Sequence, residues 1–242
     1  MTTVLKLGGS VVTDKTDPET VDEAALDRAA EALAGRDDIV IVHGGGSFGH
    51  HHADRHGVST TTGTHDPGAV RAIHGAMKRL NTAVIDALAG VDVPALPVHP
   101  MSAAARDASG DLTLPTGGVR TMLGEGFVPV LHGDGVVHVD EGVTVLSGDE
   151  LVVALADGLG ADRVGVCSAV EGVYDEDGDV IRRIETFDDA ADALGDSDAT
   201  DVSGGMTGKV RALLDLDAPA HIFDLDGLEA FLDGGEPGTR IG

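Results

Sequence analysis

Only four lysines occur among the 242 residues, and three of them, Lys6, Lys15 and Lys209, stand in or beside glycine-rich turns. The fourth, Lys78, falls on an ordinary helical pattern. In a chain that otherwise uses arginine, a lysine held in such a turn supplies a compact ammonium point charge. Ammonium groups of this kind suit phosphate. The stretch His43-Gly44-Gly45-Gly46-Ser47-Phe48-Gly49-His50 adds the complementary parts. Glycines let a backbone approach an anion closely, and successive bare N–H groups form an anion-binding nest. Ser47 brings a hydroxyl, and His50 a group that donates a hydrogen bond or carries charge. Together these residues point to the binding and transfer of phosphoryl groups. That chemistry needs in-line positioning and spread positive charge more than covalent help.

These groups must be positioned by something regular. The run Ile39-Val40-Ile41-Val42 before the central glycines is short, β-branched and reads as a buried strand. Thr3–Leu7, 94–98, 128–131, 136–139, 143–146, 163–167 and 220–223 read the same way, and a hairpin is expected around Ser109-Gly110-Asp111. Helical spacing of apolar residues predicts helices over 18–33, 67–88, 117–123, 187–194 and 225–232. Thr20 or Asp17 is the expected cap of the first. Further helices follow Ser147-Gly148-Asp149-Glu150 and Ser203-Gly204-Gly205-Met206-Thr207-Gly208-Lys209. Gly133-Asp134-Gly135 reads as a turn, and 51–66 as a polar connection without a helix. Alternation of strands and helices predicts an α/β three-layer αβα sandwich with a mostly parallel central sheet. Loops at the carboxyl edge of such a sheet converge. No repeat or linker divides the chain, so 1–242 reads as one domain.

Rival chemistries fit less well. A Walker loop needs four residues between its first glycine and Gly-Lys-Ser/Thr; Gly204 and Gly205 have the wrong spacing from Gly208-Lys209, and Val210 replaces the hydroxyl. A dinucleotide fingerprint at Gly44–Gly49 lacks a ribose-binding acid and, on this reading, a following helix. His50-His51-His52 with His56 lacks the spacing of a zinc site, so His51 and His52 read as polar residues facing water and no metal ligand is assigned. Asp149 has a structural alternative as a helix cap. The stripe Ile73, Met77, Leu80 and Val84 suits either core or the wall of an apolar pocket.

The formal net charge is −26, from 42 acidic and 16 basic residues. The acids are dispersed, which argues against a disordered tail and resembles the surface of a protein from a salt-saturated cytoplasm. There is no basic footprint for nucleic acid and no apolar run long enough to span a membrane. The single cysteine, Cys167, and the absence of a leader-like N-terminus fit a cytoplasmic location.

In this order the motifs resemble the amino acid kinase superfamily over nearly the whole chain. Lys6-Leu7-Gly8-Gly9-Ser10, His43-Gly44-Gly45-Gly46, Ser147-Gly148-Asp149 and Gly204-Gly205-Met206-x-x-Lys209 carry the likeness. Gly46-Ser47-Phe48-Gly49-His50, with Lys15 after Val11-Val12-Thr13-Asp14, is similar to the archaeal isopentenyl phosphate kinases of that superfamily, here of haloarchaeal character. The related fosfomycin kinases share the histidine signature. Other kinase-like folds serve as nucleotide-sensing regulators without turnover, which retention of three loop lysines argues against. Ala169 departs from an acid common at its place, leaving the adenine contacts around Ser168–Tyr174 open.

The resemblance implies ATP and Mg²⁺, isopentenyl phosphate as acceptor, a homodimer, and the following roles. Lys6 and Lys209 hold the β- and γ-phosphates; Gly8, Gly9, Ser10, Gly46 and Gly204 line the nucleotide phosphates. Lys15 meets the charge of the transferred group. Gly45, His50 and Gly148 bind the acceptor phosphate, and Asp149 orients the lysines. The N-terminal part is then acceptor-binding and about 147–242 nucleotide-binding.

Overall fold

The computed structural model describes residues 1–191 and 205–242. Ser203, Gly204 and the far end of the helix expected over 187–194 lie outside the described residues. An eight-stranded sheet runs through the molecule. Its centre is β1 (Thr3–Leu7), flanked by β2 (Ile39–His43) and β9 (Arg163–Cys167), both parallel to it. Beyond β2 come β6 (Val128–His132) and β3 (Ala95–Pro97); beyond β9 come β11 (Ala220–Phe223), β12 (Thr239–Ile241) and β10 (Arg183–Ile184). Among the described residues, only the β11–β12 pairing of this sheet is antiparallel.

Period-two alternation divides each central strand between two cores. Val4, Val40, Val42 and Leu131 face α5 (Gly117–Gly124), α6 (Gly148–Leu159) and α7 (Gly205–Leu214). Leu5, Leu7, Ile39, Ile41 and Val130 face α2 (Glu23–Leu33), α4 (Pro67–Gly90) and α8 (Leu228–Leu232). The three-layer α/β sandwich expected from the alternation is therefore observed.

Several boundaries differ from expectation. The helix expected from Pro18 begins at Glu23, because Asp22, not Thr20 or Asp17, accepts the Ala25 amide at 3.0 Å. The glycine stretch opens a helix: α3 (Gly46–His56) follows β2 almost at once. A glycine-rich N-terminus hides a helix from propensity, while the free first-turn amides are the reason the glycines are there. Short α1 (Gly9–Val12) likewise replaces the expected turn after β1. Gly133-Asp134-Gly135 is not a turn but the entry into β7 (Asp134–His138). It belongs to a second sheet, β5-β4-β7-β8, with β4 (Ala105–Arg106), β5 (Leu112–Thr113) and β8 (Gly142–Leu146). β4 and β5 form the hairpin expected around Gly110. Strands β10 and β12 were not foreseen; at two and three residues they carry too little pattern to read.

Candidate active site

β1, β2 and β9 end side by side, and the chain leaving each turns over the same edge. Gly8 donates to the Cys167 carbonyl at 2.8 Å, Gly44 to that of Leu7 at 3.0 Å, and Gly133 to that of His43 at 3.0 Å. The first two glycine turns cross so closely that side chains are excluded. A Cβ built on Gly9 would stand 2.3 Å from the Gly46 nitrogen, and one on Gly44 2.5 Å from the Gly9 nitrogen. Gly46 also takes φ +47°, and its Cβ would lie 2.0 Å from Thr13 Oγ1. That hydroxyl locks the crossing, donating to the Gly9 carbonyl at 2.6 Å and accepting from the Ser47 amide at 3.0 Å.

Over the crossing lies a cavity of about 610 Å³. Lys6, Lys15, Lys209 and His50 all line it, as do Gly8, Gly9, Ser10, Gly45, Gly46, Gly148 and Asp149. Gly204 lies outside the described residues. Every other position singled out for phosphate chemistry meets here, from segments more than 200 residues apart in the chain.

Asp149 stands between two of the cations. Its carboxylate is 2.7 Å from Lys6 Nζ and 3.6 Å from Lys209 Nζ. Burial would raise its pKa, but the charges of Lys6 and Lys209 outweigh that and hold it below the usual carboxylate range. It is thus ionised at any neutral pH. The helix cap is Ser147 instead: its hydroxyl accepts from the Glu150 amide at 3.2 Å while Glu150 returns a bond to the Ser147 amide at 2.9 Å. That box leaves Asp149 free to turn toward the lysines. Lys209 sits on α7 rather than in its preceding loop, and Lys6 projects from the α6 side of β1.

The stripe on α4 divides between both readings: Ile73 and Met77 reach the cavity wall, whereas Leu80 and Val84 are fully buried core. His51 and His52 are helical rather than part of an extended connection. His51 lines the cavity, and His52, which was expected to face water, has a side chain only 13% exposed with its Nε2 2.6 Å from Glu19.

Sequence reading missed a layer of imidazoles beneath the cavity floor. His43 and His132, at the ends of β2 and β6, stack with ring centroids 5.5 Å apart. His43 Nε2 meets Asn81 Oδ1 at 3.0 Å, and His132 Nε2 meets His99 Nδ1 at 2.9 Å. His99 packs edge-on against His74, whose Nδ1 lies 2.8 Å from the buried Asp134 carboxylate at the cavity edge. The signal available was only the recurrence of histidine after an apolar strand, at His43 and His132; their partners sit on distant elements.

Burial pushes His43 down to about 4, against opposing bonds from the Gly44 carbonyl and Asn81. Burial, with the neighbouring His43, holds His132 well below its ordinary value. Burial also pushes His221, on β11, down to about 4. All three are neutral in the folded chain at pH 7. The unfolded chain takes up these protons near pH 6.5, so it binds more protons than the native state between about 6.5 and 4 at His43 and His221, and His132 acts in the same direction. Stability should therefore fall as the pH drops through that window, by up to about 1.4 kcal/mol per pH unit for the fully buried His43, with His132 and His221 adding in the same direction. Urea unfolding midpoints at pH 7, 6 and 5 measure this; a flat series would refute it.

Among the described residues no group of three or more histidine, cysteine, aspartate or glutamate side chains is disposed to hold a metal ion. Both Asp149 oxygens already face lysines.

The model of the amino acid kinase family matches residues 1–223. The isopentenyl phosphate kinase of Haloferax volcanii is 65% identical over 241 residues, covering 98% of this chain and 97% of that one. The isopentenyl phosphate kinase of Methanocaldococcus jannaschii is 34% identical over 227 residues, covering 87% and 85%. A crystal structure of an isopentenyl phosphate kinase superposes over the full length of both chains with a TM-score of 0.86 at 30% identity.

Proposed function

The chain belongs to the amino acid kinase family, and from that premise we propose that it transfers the γ-phosphoryl group of ATP to isopentenyl phosphate, releasing ADP and isopentenyl diphosphate. The observation that carries this reading is the meeting of Lys6, Lys15, Lys209 and His50 with glycine amides around a cavity that also has an apolar wall. The acceptor's name comes from the relatives; the cavity supplies the chemistry it requires.

Lys6 and Lys209 hold the β- and γ-phosphates, with Gly8, Gly9, Ser10 and Gly46 beside them. Gly45, His50 and Gly148 hold the acceptor phosphate, with its hydrocarbon tail along Ile73 and Met77. The N-terminal part thus receives the acceptor, and residues from about 147 onward the nucleotide. An acceptor phosphate oxygen attacks the γ-phosphorus in line; that P–O bond forms as the β–γ bridging P–O bond breaks. Lys15 meets the charge on the group in transit. A phosphate dianion is already a competent nucleophile, so no proton need be removed, and Asp149 acts by orienting lysines rather than as a base. Mg²⁺ arriving with ATP would supply charge neutralisation at the phosphates, and with both Asp149 oxygens engaged by Lys6 and Lys209 it would be held through the nucleotide rather than by this carboxylate. A homodimer in the cytoplasm completes the reading; no helix among the described residues is long and apolar enough to cross a membrane.

A coupled ADP-release assay in molar KCl, offering isopentenyl phosphate, dimethylallyl phosphate, fosfomycin, acetylglutamate and UMP in parallel, tests the acceptor. The highest kcat/KM is expected for isopentenyl phosphate; a higher value for fosfomycin would replace it. At a net charge of −26 the far field repels both anionic substrates. Molar salt shortens the Debye length to about 3 Å and screens that field while direct contacts survive. Affinity for ATP should accordingly tighten from dilute to molar KCl, and steady weakening would contradict this account.

A further inference from the structure

Lys15 is carried by an exposed loop, yet that loop is fastened firmly at its base. Asp14 N donates to the Thr20 carbonyl at 3.0 Å and Asp22 N to that of Val12 at 3.1 Å, closing a neck. Inside it, Asp14 Oδ1 accepts from the Thr16 amide at 2.8 Å and from its hydroxyl at 2.7 Å, so Lys15 is the middle residue of an Asx turn. The returning strand is where the loop meets the rest of the site. Glu19 takes φ +53°, a left-handed conformation that a glutamate adopts only when its surroundings hold it.

Those surroundings are two helices. His52 Nε2 of α3 lies 2.6 Å from Glu19 Oε1, while Arg79 of α4 gives Nε at 3.1 Å and a terminal nitrogen at 2.6 Å to Oε2. Ser47 secures the adjacent backbone: its carbonyl accepts from the Glu19 amide at 3.2 Å and its hydroxyl donates to the Thr20 carbonyl at 3.2 Å. The bonds from His52 and then Arg79 keep the Glu19 carboxyl below its ordinary range, so it remains an anion. One carboxylate therefore ties together the three elements that bring Lys15, His50 and Met77 to the cavity.

We propose that Glu19, clamped by His52 and Arg79, is a positioning residue that sets where the Lys15 ammonium stands relative to His50. It touches no substrate; it fixes the loop that delivers the cation. The proposal rests on the reading of Lys15 as the group that meets the transferred phosphoryl. A lysine on an otherwise solvated loop samples many placements, and an error of about 1 Å in a catalytic group costs up to about a hundredfold in rate.

The test is a double-mutant cycle on the full chain at saturating ATP and acceptor. Glu19→Ala, and Arg79→Gln as a second variant on a side chain that is 57% exposed, should each lower kcat between about tenfold and a hundredfold, with KM for ATP within about twofold of the parent. In a Lys15→Met background neither should lower kcat further. Circular dichroism at the assay temperature confirms that each variant is folded, and Arg79→Gln carries the test should Glu19→Ala not fold. Unchanged kcat in the clamp variants, or a loss that persists in full without Lys15, overturns the clamp while leaving the role of Lys15 intact. Full activity of Lys15→Met alone overturns both.

Discussion

Gly9→Ala is expected to abolish turnover and to destabilise the whole chain. The new methyl would lie 2.3 Å from the nitrogen and 2.7 Å from the Cα of Gly46. Both are backbone atoms, so no rotamer change relieves the overlap. The turn after β1 must lift from the turn after β2. Thr13, which donates to the Gly9 carbonyl and accepts from the Ser47 amide, would then lose one partner or the other. Overpacking of this kind costs about 3 kcal/mol. For a domain of this size that corresponds to a fall in Tm of roughly 6–12 °C. Activity should fall further than stability, by about 10³-fold, because the amides of Gly9 and Ser10 and the start of α3 all shift. Scanning calorimetry and single-turnover kinetics read the two effects separately. Gly35→Ala is the control for loss of a glycine: nothing lies within 4 Å of its Cβ, although its φ of +70°, unlike that of Gly9, is positive. That variant should keep its kcat. Wild-type kinetics in Gly9→Ala would refute the crossing as the organiser of the site.

Asp149→Asn is the second large effect. The wild-type carboxylate neutralises two cations, at 2.7 and 3.6 Å. An amide of the same shape offers one acceptor oxygen and one NH₂, so one lysine would meet a donor instead of an anion. The charge is lost from a place where burial has already removed most of its solvent. Lys6 and Lys209 should then splay, raising KM for ATP and lowering kcat by about 10²-fold. The shift on Asp149 also fixes a sign. A carboxyl held below its ordinary value contributes stability that is full above about pH 4 and lost only as the pH falls through the lower folded value. Hence the wild-type pH–rate profile should carry no acid limb from Asp149 between pH 5 and 8. An Asn variant with unchanged KM for ATP would show that the two lysines do not depend on this carboxylate.

The sequence determined the layered α/β fold, the positions of its longer strands and helices, and the residue types of the phosphate site. Those follow from local causes: period-two runs such as Ile39–Val42, the 3.6-residue stripe on α4, and glycines next to lysines that have no other evident use. The helix at Gly46 was hidden because its propensity is poor and its purpose is to expose amides, so local preference and local structure disagree. Strands β10 and β12 were hidden because so few residues leave no period to detect, and the separation of β4, β5, β7 and β8 into a second sheet is a matter of pairing that no local pattern carries. Only the tertiary structure decided that Ser147 caps α6 while Asp149 turns to the lysines, that Met77 faces the cavity while Leu80 does not, and that Glu19 joins two helices. The partners of Asp149 and Glu19 lie 33 to 143 residues away in the chain, from Glu19–His52 to Lys6–Asp149. Spacing along a sequence names the groups able to interact; the crossing of the turns after β1 and β2 and the packing of α3 on α4 select which of them meet.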